Sequence, residues 1–289
     1  MGSKDDQKVA IVTGAAAGMG VSLATHFVEK GWLVALLDVN DEGGQDIAQS
    51  LGPNAAYFHA DVSSYDSQAN AFLEVYKKWG RIDALLANAG VVDRSSVYIL
   101  SHKNASVEDV PAAPDLTCTD IDYKGFVYGT QLAIHFMRHN SPPGGKIIGT
   151  ASVAALKPHP TYPEYNGAKA GLLNFMRGVS DVLKIKENIK MNVVCPGLVA
   201  TNIIPPEVVE AFEKRYLTPV DTIVRAYSEF LQDGDDRYGV AVEASADKIV
   251  EVEKTPLGNG EASNRAVTVW EPLFKQMHHE NSDLDGTIH

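Results

Sequence analysis

Residues 8–20 read Lys-Val-Ala-Ile-Val-Thr-Gly-Ala-Ala-Ala-Gly-Met-Gly, an apolar run that breaks into a glycine-rich turn and then opens a helical pattern. The run is apolar on both faces a strand presents, which suits a strand covered on both sides rather than one facing water. Gly14 and Gly18 permit a tight turn, and Gly20 lets the following helix lie close on the sheet. A helical pattern runs from Met19 to Lys30, so the glycines stand between a strand and a helix N-terminus, where free N–H groups and a positive dipole end face an anion. A glycine-rich turn alone is a weak signal. In this context it reads as a cradle for the pyrophosphate of a dinucleotide, formed by Gly14, Gly18, Met19 and Gly20.

The same grammar repeats along the chain. Leu33–Asp38 (LVALLD), Ala55–His59, Asp83–Ala87, Lys146–Thr150 and Lys190–Cys195 read as further buried strands, following the first at Lys8–Thr13. Met19–Lys30, Glu42–Leu51, Ser64–Trp79, Leu116–Asn140 and Tyr165–Lys184 read as helices between them. Strands apolar on both faces and joined by helices predict an α/β fold, a Rossmann-like doubly wound parallel sheet. No linker rich in Gly, Ser or Pro divides the chain, so residues 1–289 are read as one domain, with a core over about 8–255 and a frayed polar tail over about 276–289. Three stretches interrupt the alternation. Val91–Pro114 is long and mixed; Leu198–Leu217 contains Pro205-Pro206 and an amphipathic stretch suited to a flap; Thr218-Pro219-Val220-Asp221 resembles a helix start capped by Thr218, with Pro219 in the first turn.

Composition narrows the function. With 25 Lys+Arg against 37 Asp+Glu the net charge is −12, which argues against nucleic acid and against an anionic membrane surface. The 2 cysteines, Cys118 and Cys195, exclude a disulfide scaffold and point to a reducing compartment. The start, Met1-Gly2-Ser3-Lys4-Asp5-Asp6, lacks the apolar region of a secretion signal, and no apolar run reaches the roughly 20 residues of a membrane span. A cytoplasmic location is expected. No metal is expected either. The tail histidines His278, His279 and His289 lack further spaced ligands, and Asn281–Gly286 imitates half a calcium loop but is not followed by the required Glu.

Asp38 ends the second strand, 18 residues after Gly20, where a carboxylate can accept hydrogen bonds from ribose hydroxyls and repel a 2′-phosphate. The competing role is an ordinary turn aspartate before Asn40-Asp41. Ala17 offers no basic group before Gly18, so NAD is favoured over NADP. Tyr165 and Lys169 stand four apart and share a helix face, and an ammonium beside a phenol stabilises the phenolate. Tyr165 then suits general base work on an alcohol or general acid work on a ketone. Ser152, just after the strand ending at Thr150, can offer its hydroxyl at the sheet's carboxyl edge.

On these motifs the chain resembles the short-chain dehydrogenase/reductase family over roughly residues 8–250. The resemblance rests on Thr13–Gly20, Asp61-Val62, Ala87-Asn88-Ala89-Gly90, Ser152, Tyr165 with Lys169, and Pro196-Gly197 with Val199 and Thr201. It implies a catalytic Ser152, Tyr165 and Lys169. It also implies a cofactor site of Gly14, Gly18, Met19, Gly20, Asp38, Val39, Asp61, Val62, Asn88, Gly90, Tyr165, Lys169, Pro196, Gly197, Val199 and Thr201. Asp61 and Val62 would hold the adenine, Lys169 the nicotinamide ribose, and Val199 and Thr201 the carboxamide. Two positions depart from the pattern. Asp122 replaces the Asn of the family's water relay to Lys169; an acid there either salt-bridges Lys169 and keeps it protonated or weakens the water chain. Ala87 replaces the first Asn of the Asn-Asn-Ala-Gly motif, a change expected to affect packing.

The stretch from Asp236 to Glu251 is similar to the 15-hydroxyprostaglandin-dehydrogenase-like branch, which includes fungal secondary-metabolite dehydrogenases. The resemblance implies an NAD-dependent enzyme that interconverts a secondary alcohol and a ketone on a lipophilic small molecule. It also implies a homodimer or homotetramer formed through the apolar helices Leu116–Asn140 and Tyr165–Lys184. A redox-neutral isomerase or cyclase and a non-catalytic NAD sensor are the alternatives. Tyr98, Ile99, Leu100, Ile203, Ile204, Phe212 and Tyr216 are the apolar and aromatic candidates for a substrate pocket.

Overall fold

Burial on both faces of the short apolar runs is the organising fact of the computed structural model, which describes residues 7–201 and 206–289. Residues 1–6 and 202–205, including the pocket candidates Ile203 and Ile204 and the first of the paired prolines, lie outside the described residues. The strands are β1 (Val9–Thr13), β2 (Leu33–Asp38), β3 (Ala55–His59), β4 (Ala84–Ala87), β5 (Gly145–Thr150), β6 (Ile189–Pro196), β7 (Ala241–Ser245) and β8 (Lys248–Glu251). The helices are α1 (Gly18–Glu29), α2 (Asp41–Leu51), α3 (Tyr65–Trp79), α4 (Thr117–Thr119), α5 (Gly125–Met137), α6 (Pro163–Glu187), α7 (Pro206–Ala211), α8 (Val220–Leu231), α9 (Gly260–Ala266) and α10 (Glu271–His278).

The eight strands form one sheet in the order β3-β2-β1-β4-β5-β6-β7-β8. Every pairing from β3 across to β7 is parallel, and β8 closes the far edge antiparallel. Alternate side chains divide between two layers. Val9, Ile11, Ala35 and Leu37 pack with Phe72, Phe126, Phe136 and Met176 of α3, α5 and α6. Ala10, Val12, Val34 and Leu36 pack with Leu23 and Phe27 of α1 and with Ile223 and Phe230 of α8. This is a doubly wound Rossmann-like α/β sheet, as expected. The strand order reverses between β1 and β4, which opens a crevice at their carboxyl ends.

Several expectations are corrected. The sheet has two strands more than the six expected, because β7 and β8 are short and β7 carries Glu243 within it. The helix expected over Leu116–Asn140 is not uniform: residues Asp120–Lys124 between α4 and α5 wind as a π-helix. α6 starts earlier than expected, with Pro163 in its first turn. Thr218 does not cap α8. Pro219 holds the cap position, and the Thr218 Oγ1 accepts instead from the Ala246 N–H at 3.0 Å.

The tail is tied down rather than frayed. Ile288 bridges back to Trp270, with the Glu271 N–H donating to the Ile288 carbonyl at 2.8 Å. Ser282 is fully buried and donates its N–H at 3.0 Å and its hydroxyl to the Glu271 carboxylate, while Lys186 of α6 pairs with Asp283 and Glu280. The polar composition misled because these side chains satisfy one another. Those Ser282 bonds hold the Glu271 carboxyl below its ordinary range. A depressed carboxyl stabilises above its unfolded value and loses that contribution as pH falls through the folded one. Glu271→Ala should therefore make the tail cleavable in limited proteolysis at neutral pH, where the wild type resists. Protection of the Ser282 amide in the wild type, relative to the intrinsic exchange rate at each pH, should fall on acidification.

Candidate active site

Because β1 to β6 are parallel, their carboxyl ends bring every anticipated site segment to one edge of the sheet. At the end of β1 the Thr13 Oγ1 accepts from both the Asn88 and Ala89 N–H groups at 3.0 Å, locking the turn after β4 to the glycine-rich turn. The backbone is left-handed at Gly14 (φ 65°) and Gly18 (φ 52°). A Cβ on Gly20 would stand 2.0 Å from the Gly14 carbonyl oxygen, so only glycine lets α1 pack here. α1 has Ala17 at its cap position, with no side-chain cap and no acid in its first turn, leaving N–H groups for a ligand. Close by, the buried Oδ1 of Asn88 has no partner within the protein. An uncapped helix start, an orphaned acceptor and glycines at close approach fit a dinucleotide.

The other cofactor candidates surround this cradle. Asp38 is engaged as a turn aspartate, its Oδ1 accepting from the Asn40 N–H at 3.0 Å, and its Oδ2 accepts from the Ala16 N–H at 2.9 Å, which ties the end of β2 to the glycine-rich turn. Val39 beside it is exposed and Met19 half-buried. Asp61 is engaged at Oδ1 by the Ser63 N–H and hydroxyl, and Val62 is buried, its carbonyl accepting from Gln68. Pro196 ends β6, and Gly197 donates to the Ala244 carbonyl at 2.9 Å. The Val199 side chain packs in the α8 layer, which leaves only its backbone for a carboxamide. Thr201 approaches to 3.3 Å of where a Cβ on Gly18 would lie, so the segment after β6 passes over the turn.

Lys169 stands at the centre of the candidate site. Its Nζ is buried, donates to the Thr150 carbonyl at 2.8 Å, pairs with Asp122 Oδ2 at 3.0 Å, and stands 5.6 Å from the Tyr165 ring centroid. The wide π turn places Asp122 inside, where its Oδ1 also accepts from the Val91 N–H at 2.8 Å. Gly90 serves this pair directly: a Cβ there would lie 3.0 Å from Asp122 Oδ2 and 3.1 Å from Lys169 Nζ. Burial pushes the Asp122 carboxyl up against the opposing pull of Lys169. Burial is the largest single influence on Lys169 and would lower it, but the Asp122 charge together with Tyr165 and Cys118 outweighs it and the lysine is held above its ordinary value. Of the two outcomes weighed for Asp122, the structure shows the salt bridge. Ser152 accepts from the Ala154 N–H at 3.1 Å, which leaves its hydroxyl hydrogen to give elsewhere. Tyr162 is turned away and stacks against His159 with ring centroids 5.5 Å apart.

Some participants were invisible in the sequence. The Thr150 carbonyl carries no motif, and Asp93 and Glu164 act through contacts more than 40 residues distant. A cavity of about 10 Å³ lined by Ala87, Thr13, Gln68 and Asp122 has room for no more than one water. The larger one, about 170 Å³, opens at the opposite sheet edge beside Lys8, Trp32, Lys146 and Lys190. Burial pushes the Cys195 thiol up to about 12, in keeping with a core role, and pushes Cys118 higher still. His135 and His139 are exposed on α5 and just beyond it.

A family profile described as short chain dehydrogenase matches residues 8–209. The chain belongs to the short-chain dehydrogenase/reductase family. With that family come oxidoreductase chemistry and a nicotinamide dinucleotide cofactor. The fungal short-chain dehydrogenase/reductase prx6 of Penicillium rubens is 49% identical over 297 aligned positions spanning the whole of both chains. Meso-2,3-butanediol dehydrogenase of Serratia marcescens is 33% identical across 73% of this chain and 80% of its own. The crystal structure of a 3-ketoacyl-(acyl-carrier-protein) reductase from Brucella melitensis, complexed with NADH, shares the fold. Its TM-score is 0.71 over 82% of this chain and 96% of that one, at 22% identity.

The ion pair makes two expected outcomes measurable. Asp122→Ala strands a buried ammonium and should cost about 3–5 kcal/mol of stability in denaturant unfolding. Asp122→Asn keeps a polar neighbour but removes the charge that holds Lys169 up. Burial then lowers Lys169, and the alkaline limb of the pH–rate profile should move to lower pH.

Proposed function

We propose that this enzyme uses NAD to interconvert a secondary alcohol and a ketone on a lipophilic small molecule. The observation that carries the reading is the buried Lys169 ammonium, hydrogen-bonded to the Thr150 carbonyl, ion-paired with Asp122 and 5.6 Å from the Tyr165 ring. In the oxidative direction Ser152 donates its free hydroxyl hydrogen to the substrate oxygen while Tyr165 takes the hydroxyl proton. In the reductive direction Tyr165 returns it. Lys169, fixed as an ammonium, stabilises the phenolate that Tyr165 becomes. Its third N–H, not spent on Thr150 or Asp122, faces the task of holding the ribose. Bound in the cradle, the nicotinamide dinucleotide supplies the hydride acceptor or donor. The α1 N-terminus and Gly14, Gly18 and Gly20 bind its pyrophosphate, and Asn88 offers its free Oδ1.

NAD over NADP rests on Asp38, whose carboxylate stands at the end of β2 against the Ala16 N–H, and on the exposed Ala17, which offers no basic group before Gly18. The lipophilic substrate rests on the exposed apolar residues Tyr98, Ile99, Leu100, Phe212 and Tyr216. Homodimer or homotetramer assembly is supported by the apolar content of α5 and α6. A cytoplasmic setting is supported by two free, buried cysteines, and among the described residues no helix is long and apolar enough to cross a membrane.

The test is absorbance at 340 nm with NAD and a panel of lipophilic secondary alcohols, alongside NADP and the matching ketones with NADH. Signal growth with NAD and one alcohol class is the expected result; NAD binding in calorimetry with silence across the panel would overturn it. Tyr165→Phe should remove turnover, by about 100-fold or more, while NAD affinity stays within a small factor of wild type. Asp38→Ala should raise the NADP/NAD ratio of kcat/KM. An equal fall with both cofactors would show that Asp38 acts only by holding the Ala16 turn.

A further inference from the structure

The N-terminus of α6 carries the tyrosine, and its hydrogen bonds are completed from another part of the chain. Tyr162, at the cap position, provides no side-chain cap, and Pro163 has no N–H to satisfy. The Asn166 N–H reaches the Tyr162 carbonyl at 3.0 Å. The two amides between them belong to Glu164 and Tyr165, and both donate to one carboxylate: Glu164 to Asp93 Oδ2 at 2.9 Å and Tyr165 to Asp93 Oδ1 at 2.8 Å. Asp93 sits 72 residues before Tyr165, at the base of the long segment after β4. A carboxylate at this spot also complements the positive end of a 25-residue helix.

The base of that segment is itself fastened. The Cys118 thiol donates to the Val91 carbonyl at 3.2 Å, and Glu164 Oε1 accepts from the Thr119 N–H at 2.8 Å and hydroxyl at 2.9 Å. Farther out, the Asp115 N–H donates to Ser95 Oγ at 2.9 Å and closes a neck, beyond which residues 96–114 loop away. Asp93, Cys118 and Glu164 bring possible ligand atoms within 4.8 Å of one another, yet each is already engaged by these bonds within the protein.

We propose that Asp93 is a positioning residue for catalysis: it clamps the Tyr165 backbone and so sets where the phenol stands relative to Ser152 and Lys169. The inference rests on the reading of Tyr165 as the proton-transferring group. The neck between Ser95 and Asp115 closes off the outer loop from Asp93, and the loop reaches back ahead of α6, where the Tyr98 hydroxyl donates to the Pro160 carbonyl at 2.8 Å.

The experiment compares wild type, Asp93→Ala and Asp93→Asn. The readouts are steady-state kinetics on the alcohol and NAD pair found active, calorimetric NAD binding, and hydrogen exchange of the peptide over residues 163–169. Asp93→Ala should lower kcat by about 10- to 100-fold, the scale at which a small misplacement of a reacting group acts. Substrate KM and NAD affinity should stay within about threefold, a split that general damage to the fold would not give. Asp93→Asn keeps one acceptor oxygen and should recover part of both kcat and amide protection. Faster exchange with unchanged kcat, a change confined to KM, or unaltered exchange would each overturn the proposal. If Asp93→Ala does not fold, wild-type kcat and exchange in Asp93→Asn overturn it. Should the wild type show no turnover at all, the functional reading fails by itself. The exchange measurement still decides whether the clamp exists.

Discussion

A lysine ammonium with almost no access to water is the constraint around which the active edge is arranged. An isolated buried charge costs several kcal/mol even after the protein relaxes, so Lys169 is tenable only with partners already in place. The Thr150 carbonyl at the end of β5 supplies one and Asp122 the other. Supplying Asp122 involves the five-residue π turn that interrupts the helix, and the pair sits so close to Gly90 that a Cβ there would press on both charged groups. The Val91 N–H then takes the second Asp122 oxygen, fixing the start of the segment that also holds Asp93. Each feature makes sense only given the others.

The parallel sheet makes this economy possible. β1, β4 and β5 deliver Thr13, Asn88 and Thr150 to one edge, while α1 and α6 leave that edge with their N-termini near it. The two helix starts are used in opposite ways. α1 has no cap, which leaves its amides for a ligand anion, whereas α6 is capped by a remote carboxylate, which holds its first turn rigid. On the proposed reading, one end receives the cofactor and the other holds the acid–base group in place.

The difference explains what could be read from sequence. The strands at 33–38 and 146–150, the glycine turn and the Tyr165/Lys169 spacing are local patterns, repeating over two to four residues, and they survive folding unchanged. β7 and β8 were missed because Glu243 breaks the apolar run and β8 lies at an exposed edge. Asp93, Glu164 and the Ser282–Glu271 contact depend on chain segments meeting across long or irregular loops, for which no periodicity exists. The π turn left no mark in the apolar pattern either, since an extra residue in one turn shifts the helical phase without changing which residues are apolar. Asp122 could be singled out as a departure from the family pattern, but its partner distance could not.

That departure changes what Lys169 can do. A neutral amide at position 122 would leave the ammonium to act on the phenol with its full charge, at the cost of a poorly compensated buried cation. The carboxylate 3.0 Å away removes most of that cost, and the same negative charge offsets part of the ammonium's pull on a Tyr165 phenolate. Direct contact at that distance also leaves no space for a water between Asp122 and Lys169. On the proposed mechanism Lys169 is therefore an electrostatic support held in one protonation state. The exchange of charge at one buried position thus trades some stabilisation of the phenolate for a more firmly fixed cation beside it.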